Sequence, residues 1–256
     1  MAADTGLNTF RRQSTTRGCV HSCLQMRRCH ADIENFLVGA MDLPTADRLR
    51  ELGFPYFVMF DQNSTDSGLG EKDFGWGSGK FHLMGRQKID LLQTFLSFGL
   101  DIMLCDSDTV WINDPTDYFN RFPAADLLTS SDHMFPTVPI ADDGLETPDA
   151  VHSAMNIGVM FFRHSERTKE FVAEWVRKLD ADENLWDQNA FNFLARAGFS
   201  NKNVHESNPR LFYGYHGKLV MGILPVSAFA SGHTYHVQHL YQVLISSQHQ
   251  RTYARP

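Results

Sequence analysis

Two acidic side chains two residues apart, Asp106 and Asp108, are the residues of this sequence with the clearest capacity for chemistry. They follow the apolar run LDIMLC at 100–105, so they stand where a buried strand is expected to end. Residues i and i+2 of an extended segment face the same way, so both carboxylates can converge on one cation. Carboxylate oxygens suit Mg²⁺ and Mn²⁺, and such an ion neutralises charge on a leaving group. The pair therefore predicts a divalent metal site.

The same residues fit a second chemistry. Asp106-Ser107-Asp108-Thr109-Val110 matches the D-x-D-x-[TV] pattern of haloacid-dehalogenase phosphatases. In that class the first Asp is a nucleophile toward phosphate and the second is a general acid. Those enzymes carry the motif near the start of the chain, whereas here it lies far from it. The pattern alone leaves both interpretations open.

The elements that position these carboxylates alternate between strands and helices. Short apolar runs predict strands at 35–40, 56–60, 100–105, 125–130 and 158–162. Apolar residues at helical spacing predict helices at 45–52, 83–98 and 168–179, the second of which ends at Gly99. This alternation predicts an α/β protein with a mostly parallel sheet, whose ligands bind beyond the carboxyl ends of the strands.

Bulk properties narrow the class of partner. The 256 residues suit one large domain with a substantial core. The formal net charge of −7 argues against nucleic acid or an acidic membrane face, and favours a neutral or small polar substrate. The sequence contains no run of about 18 apolar residues, so we expect no membrane span in this chain.

Eight stretches, in order along the chain, resemble glycosyltransferase family 77, the plant and algal nucleotide-diphospho-sugar transferases that include extensin arabinosyltransferases. They are NFLVGAMD (35–42), DFGWGSGKFHLMGRQKIDLL (73–92), LCDSDTVWINDPTDYF (104–119), ADLLTSSD (125–132), NIGVMFFR (156–163), WDQNAFN (186–192), RLFYGYHGKL (210–219) and LPVSAFASGHTYHVQ (224–238). Together they cover most of the chain, which makes the resemblance far more specific than the D-x-D pair.

The resemblance implies a GT-A fold, which is Rossmann-like, and a retaining transfer that depends on Mn²⁺ or Mg²⁺. Asp106 and Asp108 become the metal ligands, with Ser107 between them at the donor. The donor would be a UDP-sugar, with L-arabinofuranose or another pentose as the sugar. The acceptor would be a glycan of a hydroxyproline-rich cell-wall glycoprotein in the Golgi lumen, with a membrane anchor upstream. An inactive GT-A-fold binding module is the alternative.

Two downstream elements gain roles from the same resemblance. Asn156, Ile157 and Gly158 would approach the donor sugar, and glycine permits close backbone approach. Asp187 would bind sugar hydroxyls while Gln188 faces the anomeric carbon. The residues themselves place this pair in the first turn of a short helix that ends at Gly198, with an apolar stripe formed by Trp186, Ala190, Phe193 and Leu194. A simpler interpretation is that Asp187 only complements the helix dipole.

Three further residues are candidates for the donor site. Arg86 and Lys88 lie on the helix before the 100–105 strand, where they can contact the diphosphate or remain solvated. Trp76 lies in the glycine-rich loop 68–79 and can stack on a sugar. The loop is not a Walker motif, because Phe81 stands where that motif requires Ser or Thr.

We expect three segments along the chain: a poorly ordered leader over 1–34, a transferase domain over 35–245 and a tail over 246–256. The resemblance implies that the domain is truncated at both ends. Enzymes of this kind usually take a third metal ligand, a His, from a C-terminal segment. They also have a first strand that lines the nucleotide pocket before the stretch at 35.

Overall fold

A computed structural model describes residue 33 and residues 35–60, 77–133, 135–139 and 142–236. The predicted tail lies outside these residues, as does the predicted leader apart from Ile33. The chain divides into two compact units, one formed by 1–75 with 110–114 and the other by 76–109 with 115–256. All the predicted site residues belong to the second unit.

The first unit contains a β-α-β element, as the sequence predicts. Its strands pair in parallel, and its elements are β1 (Val38–Ala40), α1 (Leu43–Glu51) and β2 (Tyr56–Val58). The helix begins where the Asp42 side chain accepts a hydrogen bond from Thr45 N at 2.7 Å. It ends before Gly53, whose φ of +66° falls in the left-handed region that glycine adopts most easily.

The second unit contains the remaining elements. Its helices are α2 (Gly79–Ser97), α3 (Thr116–Asn120), α4 (Glu166–Ala181), α5 (Asp187–Arg196) and α6 (Gly232–His236), with a 3-10 turn at Pro148–His152. Its strands are β3 (Ile102–Cys105), β4 (Leu127–Ser131), β5 (Met155–Phe162), β6 (Val204–His205), β7 (Asn208–Gly214) and β8 (Leu219–Ile223). No helix in the described part of the chain has the length and apolar character needed to cross a membrane.

The sheet of the second unit has the strand order β3-β5-β4-β8-β7-β6. Only β4 and β8 pair in parallel, and the other neighbours pair antiparallel. The α/β class is therefore correct, but the prediction of a mostly parallel sheet is wrong. The sequence reasoning missed β6 to β8, which are joined by short turns that force antiparallel pairing. It also missed that β5 returns between β3 and β4.

Both faces of this sheet are buried. Neighbouring residues of a strand point to opposite faces, so each strand contributes to two cores. Leu127 and Phe162 pair across β4 and β5 and belong to the core that α2, α4 and α5 cover. Their neighbours Leu128 and Phe161 face the other core, which includes α3. Trp175 of α4 is fully buried in the first core, so this helix serves as scaffolding.

The ends and faces of two helices position the site. α2 begins earlier than predicted, because Ser78 Oγ caps the helix by accepting a hydrogen bond from Phe81 N at 3.2 Å. The helix stops before Gly99, as predicted. On α5 the predicted apolar stripe is wrong at Phe193, whose side chain is 67% exposed. Phe191 faces the core instead, since residues two apart on a helix point about 200° apart.

Candidate active site

Asp106 lies directly after β3, the edge strand of the sheet. Its backbone N donates to Gly158 O at 2.9 Å, which ties it to β5, and its carbonyl accepts from Thr109 N at 3.1 Å. This second bond closes a β-turn that contains Ser107 and Asp108. The prediction that Asp106 and Asp108 share one face of an extended segment is therefore wrong, because the chain turns at once. The side chains of this turn are exposed, and Asp106 keeps 48% of its side-chain area accessible.

Lys88 of α2 reaches the Asp106 carboxylate. Its Nζ donates to Asp106 Oδ1 at 2.5 Å and to the carbonyl oxygen of Ile157 at 3.1 Å. The Lys88 side chain is only 19% exposed, so this pair is better shielded from water than an ordinary surface ion pair. Of the two interpretations open for Lys88, the solvated one is excluded, while diphosphate contact stays a prediction.

The Asn156-Ile157-Gly158 element forms a bulge in β5. Thr129 pairs with Met160, but the next residue of β4, Ser130, pairs with Asn156, so residues 157–159 stand outside the ladder with β4. The hydroxyls of Thr129 and Ser130 donate to the Asn156 carbonyl at 2.8 Å and 3.0 Å. Bulges re-aim side chains at the rim of a sheet, and here Asn156 Oδ1 and Asp106 Oδ2 both lie close to Gly158.

Because Gly158 has no side chain, Asn156 and Asp106 can both lie against it. A Cβ on Gly158 would lie 2.7 Å from Asn156 Oδ1 and 3.1 Å from Asp106 Oδ2, closer than ordinary contacts. Gly158 thus permits close approach by protein side chains, while its approach to the donor sugar stays a prediction. The structure brings together Asp106, Asn156 and Gly158, although Asp106 and Gly158 are 52 residues apart in the sequence.

A carboxylate that the sequence reasoning did not single out links the candidates. Asp132, just after β4, accepts hydrogen bonds from Asn156 Nδ2 at 2.8 Å and Gln188 Nε2 at 3.1 Å. Gln188 Oε1 in turn faces Ile157 N at 3.5 Å. The available signal was weaker than that of Asp106: Asp132 follows a strand whose last residues, Thr129, Ser130 and Ser131, are polar.

Asp187 lies at the first residue of α5, as predicted, and is half-buried. Its Oδ1 accepts a hydrogen bond from Gln188 N at 2.8 Å, and its side chain rests against Gly85 of α2. Burial raises the pKa of the Asp187 carboxyl above its ordinary value, and the nearby positive charge of Lys88 partly opposes this. The contact between Asp187 and sugar hydroxyls stays a prediction.

Arg86 is engaged in packing between helices. Its Nε donates to Asp180 Oδ1 at 2.6 Å and its Nη2 to Asp180 Oδ2 at 3.0 Å, while Nη1 pairs with Asp90. This bidentate pair joins α2 to α4. Diphosphate contact by Arg86 stays a prediction that this geometry does not favour. Trp76, the proposed stacking residue, lies outside the described residues.

Residues 31–252 match the family model described as nucleotide-diphospho-sugar transferase. The chain belongs to this family. It is 45% identical over 213 residues to arabinosyltransferase XEG113 of Arabidopsis thaliana, a match that covers 83% of this chain and 32% of the relative. The chain thus spans about a third of that relative's length. No solved structure matches.

The comparisons confirm the resemblance seen in the sequence and decide between the two interpretations of the D-x-D pair. Asp106 and Asp108 belong to a nucleotide-diphospho-sugar transferase domain and not to a haloacid-dehalogenase phosphatase. The edge position of β3 and its antiparallel partner also differ from the parallel setting that the sequence reasoning assumed for these residues.

The chemistry of the donor set suits a divalent ion shared with a substrate of this transferase. The described residues contain no group of three or more His, Cys, Asp or Glu side chains that could hold a metal. Asp106 and Asp108 are exposed and offer only carboxylate oxygens. Mg²⁺ and Mn²⁺ commonly bind one or two carboxylates and complete the shell with diphosphate oxygens and water. These oxygen donors are therefore of the type that such an ion prefers, while joint binding by Asp106 and Asp108 stays a prediction.

Proposed function

We propose that this domain transfers a pentose, most simply L-arabinofuranose, from a UDP-sugar to a hydroxyl of a glycan on a hydroxyproline-rich cell-wall glycoprotein, with retention at the anomeric carbon. Family membership and the arabinosyltransferase relative support the reaction class and the sugar. One arrangement carries the proposal. Lys88 pairs with Asp106, Asp106 and Asn156 lie against Gly158, and Asp132 links Asn156 to Gln188.

The diphosphate end of the donor belongs at the turn after β3. Asp106 and Asp108 would hold a Mn²⁺ or Mg²⁺ ion, which supplies positive charge for the departing UDP. Lys88 lies against Asp106 and adds a second positive charge at the same place. Because the Lys88 ammonium has three donors and a flexible stem, it can turn from Asp106 to a phosphate oxygen when the donor binds.

The sugar end of the donor belongs at the β5 bulge. Gly158 has no side chain, so Asn156 and Asp106 lie close to its backbone, and Gln188 faces the neighbouring Ile157 N from the start of α5. The transition state of glycosyl transfer carries positive charge at the anomeric carbon, as in glycoside hydrolysis. The Gln188 carbonyl oxygen can stabilise that charge, and Asp187 can accept hydrogen bonds from sugar hydroxyls.

The proposal includes the cellular setting. Arabinosylation of secreted cell-wall glycoproteins would place the domain in the Golgi lumen, and an anchor upstream of it would hold it there. Expression of the full-length protein with a fluorescent tag tests this part. Signal outside the Golgi would contradict the proposed location without bearing on the chemistry.

Release of UDP tests the reaction. We expect the purified chain, incubated with UDP-arabinofuranose and Mn²⁺, to release UDP, and chelation of the metal to abolish the release. Asp108→Asn should lower the rate at least tenfold. Asp143→Asn is the matched control, because Asp143 pairs with Arg121 on the surface of the same unit. The anomeric proton of the product, observed by NMR, reports retention or inversion.

Other outcomes of this assay separate the alternatives. Release of UDP from another UDP-sugar but not from UDP-arabinofuranose would overturn the choice of donor. Binding of UDP with Mn²⁺ in calorimetry, without release from any UDP-sugar, would indicate an inactive binding module. Phosphate release from phosphomonoesters would revive the phosphatase interpretation.

A further inference from the structure

Asp132 lies where two side-chain amides can be oriented together. It directly follows β4, and its backbone N donates to Ala154 O at 2.9 Å, so its position is fixed relative to β5. Its Oδ1 accepts from Asn156 Nδ2 at 2.8 Å, and its Oδ2 accepts from Gln188 Nε2 at 3.1 Å. One carboxylate thus contacts an amide of the β5 bulge and an amide of α5.

The chemistry of these groups determines how both amides point. An ionised carboxylate only accepts hydrogen bonds, so the NH₂ groups of Asn156 and Gln188 must face Asp132. Their carbonyl oxygens must then point the other way. Asn156 Oδ1 accepts from Gly158 N at 2.6 Å, and Gln188 Oε1 faces Ile157 N at 3.5 Å, so each orientation is supported at both ends.

The two amide oxygens are unequally engaged. Asn156 Oδ1 also lies 3.2 Å from Ser130 Oγ and is held tightly within the bulge. The contact of Gln188 Oε1 with Ile157 N is at the long limit for a hydrogen bond, so this oxygen retains capacity for another partner. Asp132 therefore fixes which atom of Gln188 is presented beside the bulge.

We propose that Asp132 is a positioning residue that sets the amide orientation of Asn156 and Gln188, and so presents the Gln188 carbonyl oxygen to the donor sugar. The link to sugar transfer rests on the proposed function. Neither an amide nor an alanine can replace the carboxylate. An amide at position 132 offers one acceptor oxygen where two are needed, and an alanine offers none. The structure itself supplies the reason why this position is acidic.

A double-mutant cycle tests the orientation without any need for activity. Asp132→Asn forces two NH₂ groups against each other at Gln188, or turns Gln188 so that its NH₂ faces the Ile157 N–H. Gln188→Glu places two carboxylates together. Each change alone should lower Tm by about 2–6 °C, as loss of one or two hydrogen bonds would in a domain of this size.

The combined variant restores complementarity. An amide at position 132 can accept from Asn156 Nδ2 and donate to the new carboxylate at position 188, so the combined variant should recover most of the lost Tm. The side-chain amide signal of Asn156, assigned in ¹⁵N spectra with Asn156→Ser, should move in each single variant and return in the combined one. Additive losses of Tm would overturn the inference, as would an Asn156 signal that does not move when residue 132 is changed.

A kinetic measurement tests the link to transfer. Asp132→Asn should lower kcat for UDP release at least tenfold and leave the Kd of UDP with Mn²⁺ within about twofold, because the diphosphate is held at Asp106. Asp143→Asn again serves as the control. An unchanged kcat in Asp132→Asn would overturn the positioning role. If the wild type itself releases no UDP, the proposed function fails, and the double-mutant cycle still decides whether Asp132 orients the amides.

Discussion

Replacing Gly85 by Ala separates the stability of α2 from the geometry of the site. A Cβ at this position would lie 2.8 Å from Asp187 Oδ2, 2.9 Å from its Cγ and 3.2 Å from its Cβ. Three successive atoms of one side chain are therefore too close, and rotation of the carboxyl group alone cannot relieve them. Asp187 must retreat by about 0.6 Å, from 2.8 Å to the 3.4 Å of an ordinary contact.

The expected magnitudes follow from two opposing effects. Alanine in a helix interior is favoured over glycine by about 1 kcal/mol. The retreat of Asp187 breaks the hydrogen bond from Gln188 N to its Oδ1, worth about 1 kcal/mol, so the free energy of unfolding should change little. Misplacement of about 1 Å can cost about 100-fold in rate, so a shift of half that size should cost at least about tenfold.

Gly79→Ala is the matched control, because Gly79 lies on the same helix and a Cβ there meets nothing within 4 Å. We expect both variants to melt within about 3 °C of the wild type. Only Gly85→Ala should lose kcat/KM for UDP release from the donor. Wild-type kcat/KM in Gly85→Ala would refute the reasoning, since it would mean that Asp187 can move without consequence.

Three further changes have defined outcomes. Lys88→Met removes the ammonium group that is proposed to contact the diphosphate. We expect the Kd of UDP with Mn²⁺ to rise about tenfold by calorimetry, since one charged contact is worth about 1.5 kcal/mol. Gly158→Ala places a Cβ 2.7 Å from Asn156 Oδ1 and 3.1 Å from Asp106 Oδ2 and so displaces both side chains. Metal-dependent UDP release should fall at least tenfold while the protein remains folded by circular dichroism. Arg210 donates to Asp142 at 2.8 Å and holds the pKa of that carboxyl well below its ordinary 3.8, so Asp142 stabilises the fold above pH 3.8. Asp142→Asn should therefore cost about 1 kcal/mol at pH 7 in chemical denaturation, and the difference from the wild type should shrink as the pH falls below 3.8.

Each of these has a result that would contradict it. Lys218→Met removes an exposed lysine paired with Glu170, and an equal loss of UDP affinity there would show that the effect of Lys88→Met is one of general charge. Full activity in Gly158→Ala would mean that the bulge can yield. A stability difference for Asp142→Asn that stays constant from pH 7 to pH 3 would show that its pair with Arg210 contributes nothing.

Local pattern predicted the individual elements well, and long-range pairing decided the rest. Apolar runs and capping residues located α1, α4 and the start of α5, because these depend on nearby residues alone. The direction of β5 depends on which strand it meets, and that contact joins residues far apart in sequence. The pattern of alternation therefore predicted the class of fold and mispredicted the sheet.

The candidate site shows the same division. Asp106 was identifiable because an acidic residue directly after an apolar run is a local signal. Asp132 follows Thr129, Ser130 and Ser131 and has no second carboxylate two residues away, so its signal is weaker. The partner of Lys88 could not be predicted, since it depends on how α2 lies across the sheet. The turn at Ser107 could not be predicted either, because the sequence there is equally compatible with a continued strand.

Helix α2 sets the distances between the other elements of the site. Within four consecutive residues it meets three separate elements: Gly85 meets α5, Arg86 meets α4, and Lys88 meets the turn after β3. Inserting or deleting one residue between Gly85 and Lys88 would rotate the residues after it by about 100° relative to those before it, so the three contacts could no longer form together. The spacing of Gly85, Arg86 and Lys88 along the helix is therefore a requirement of the site in itself, beside the chemistry of each side chain.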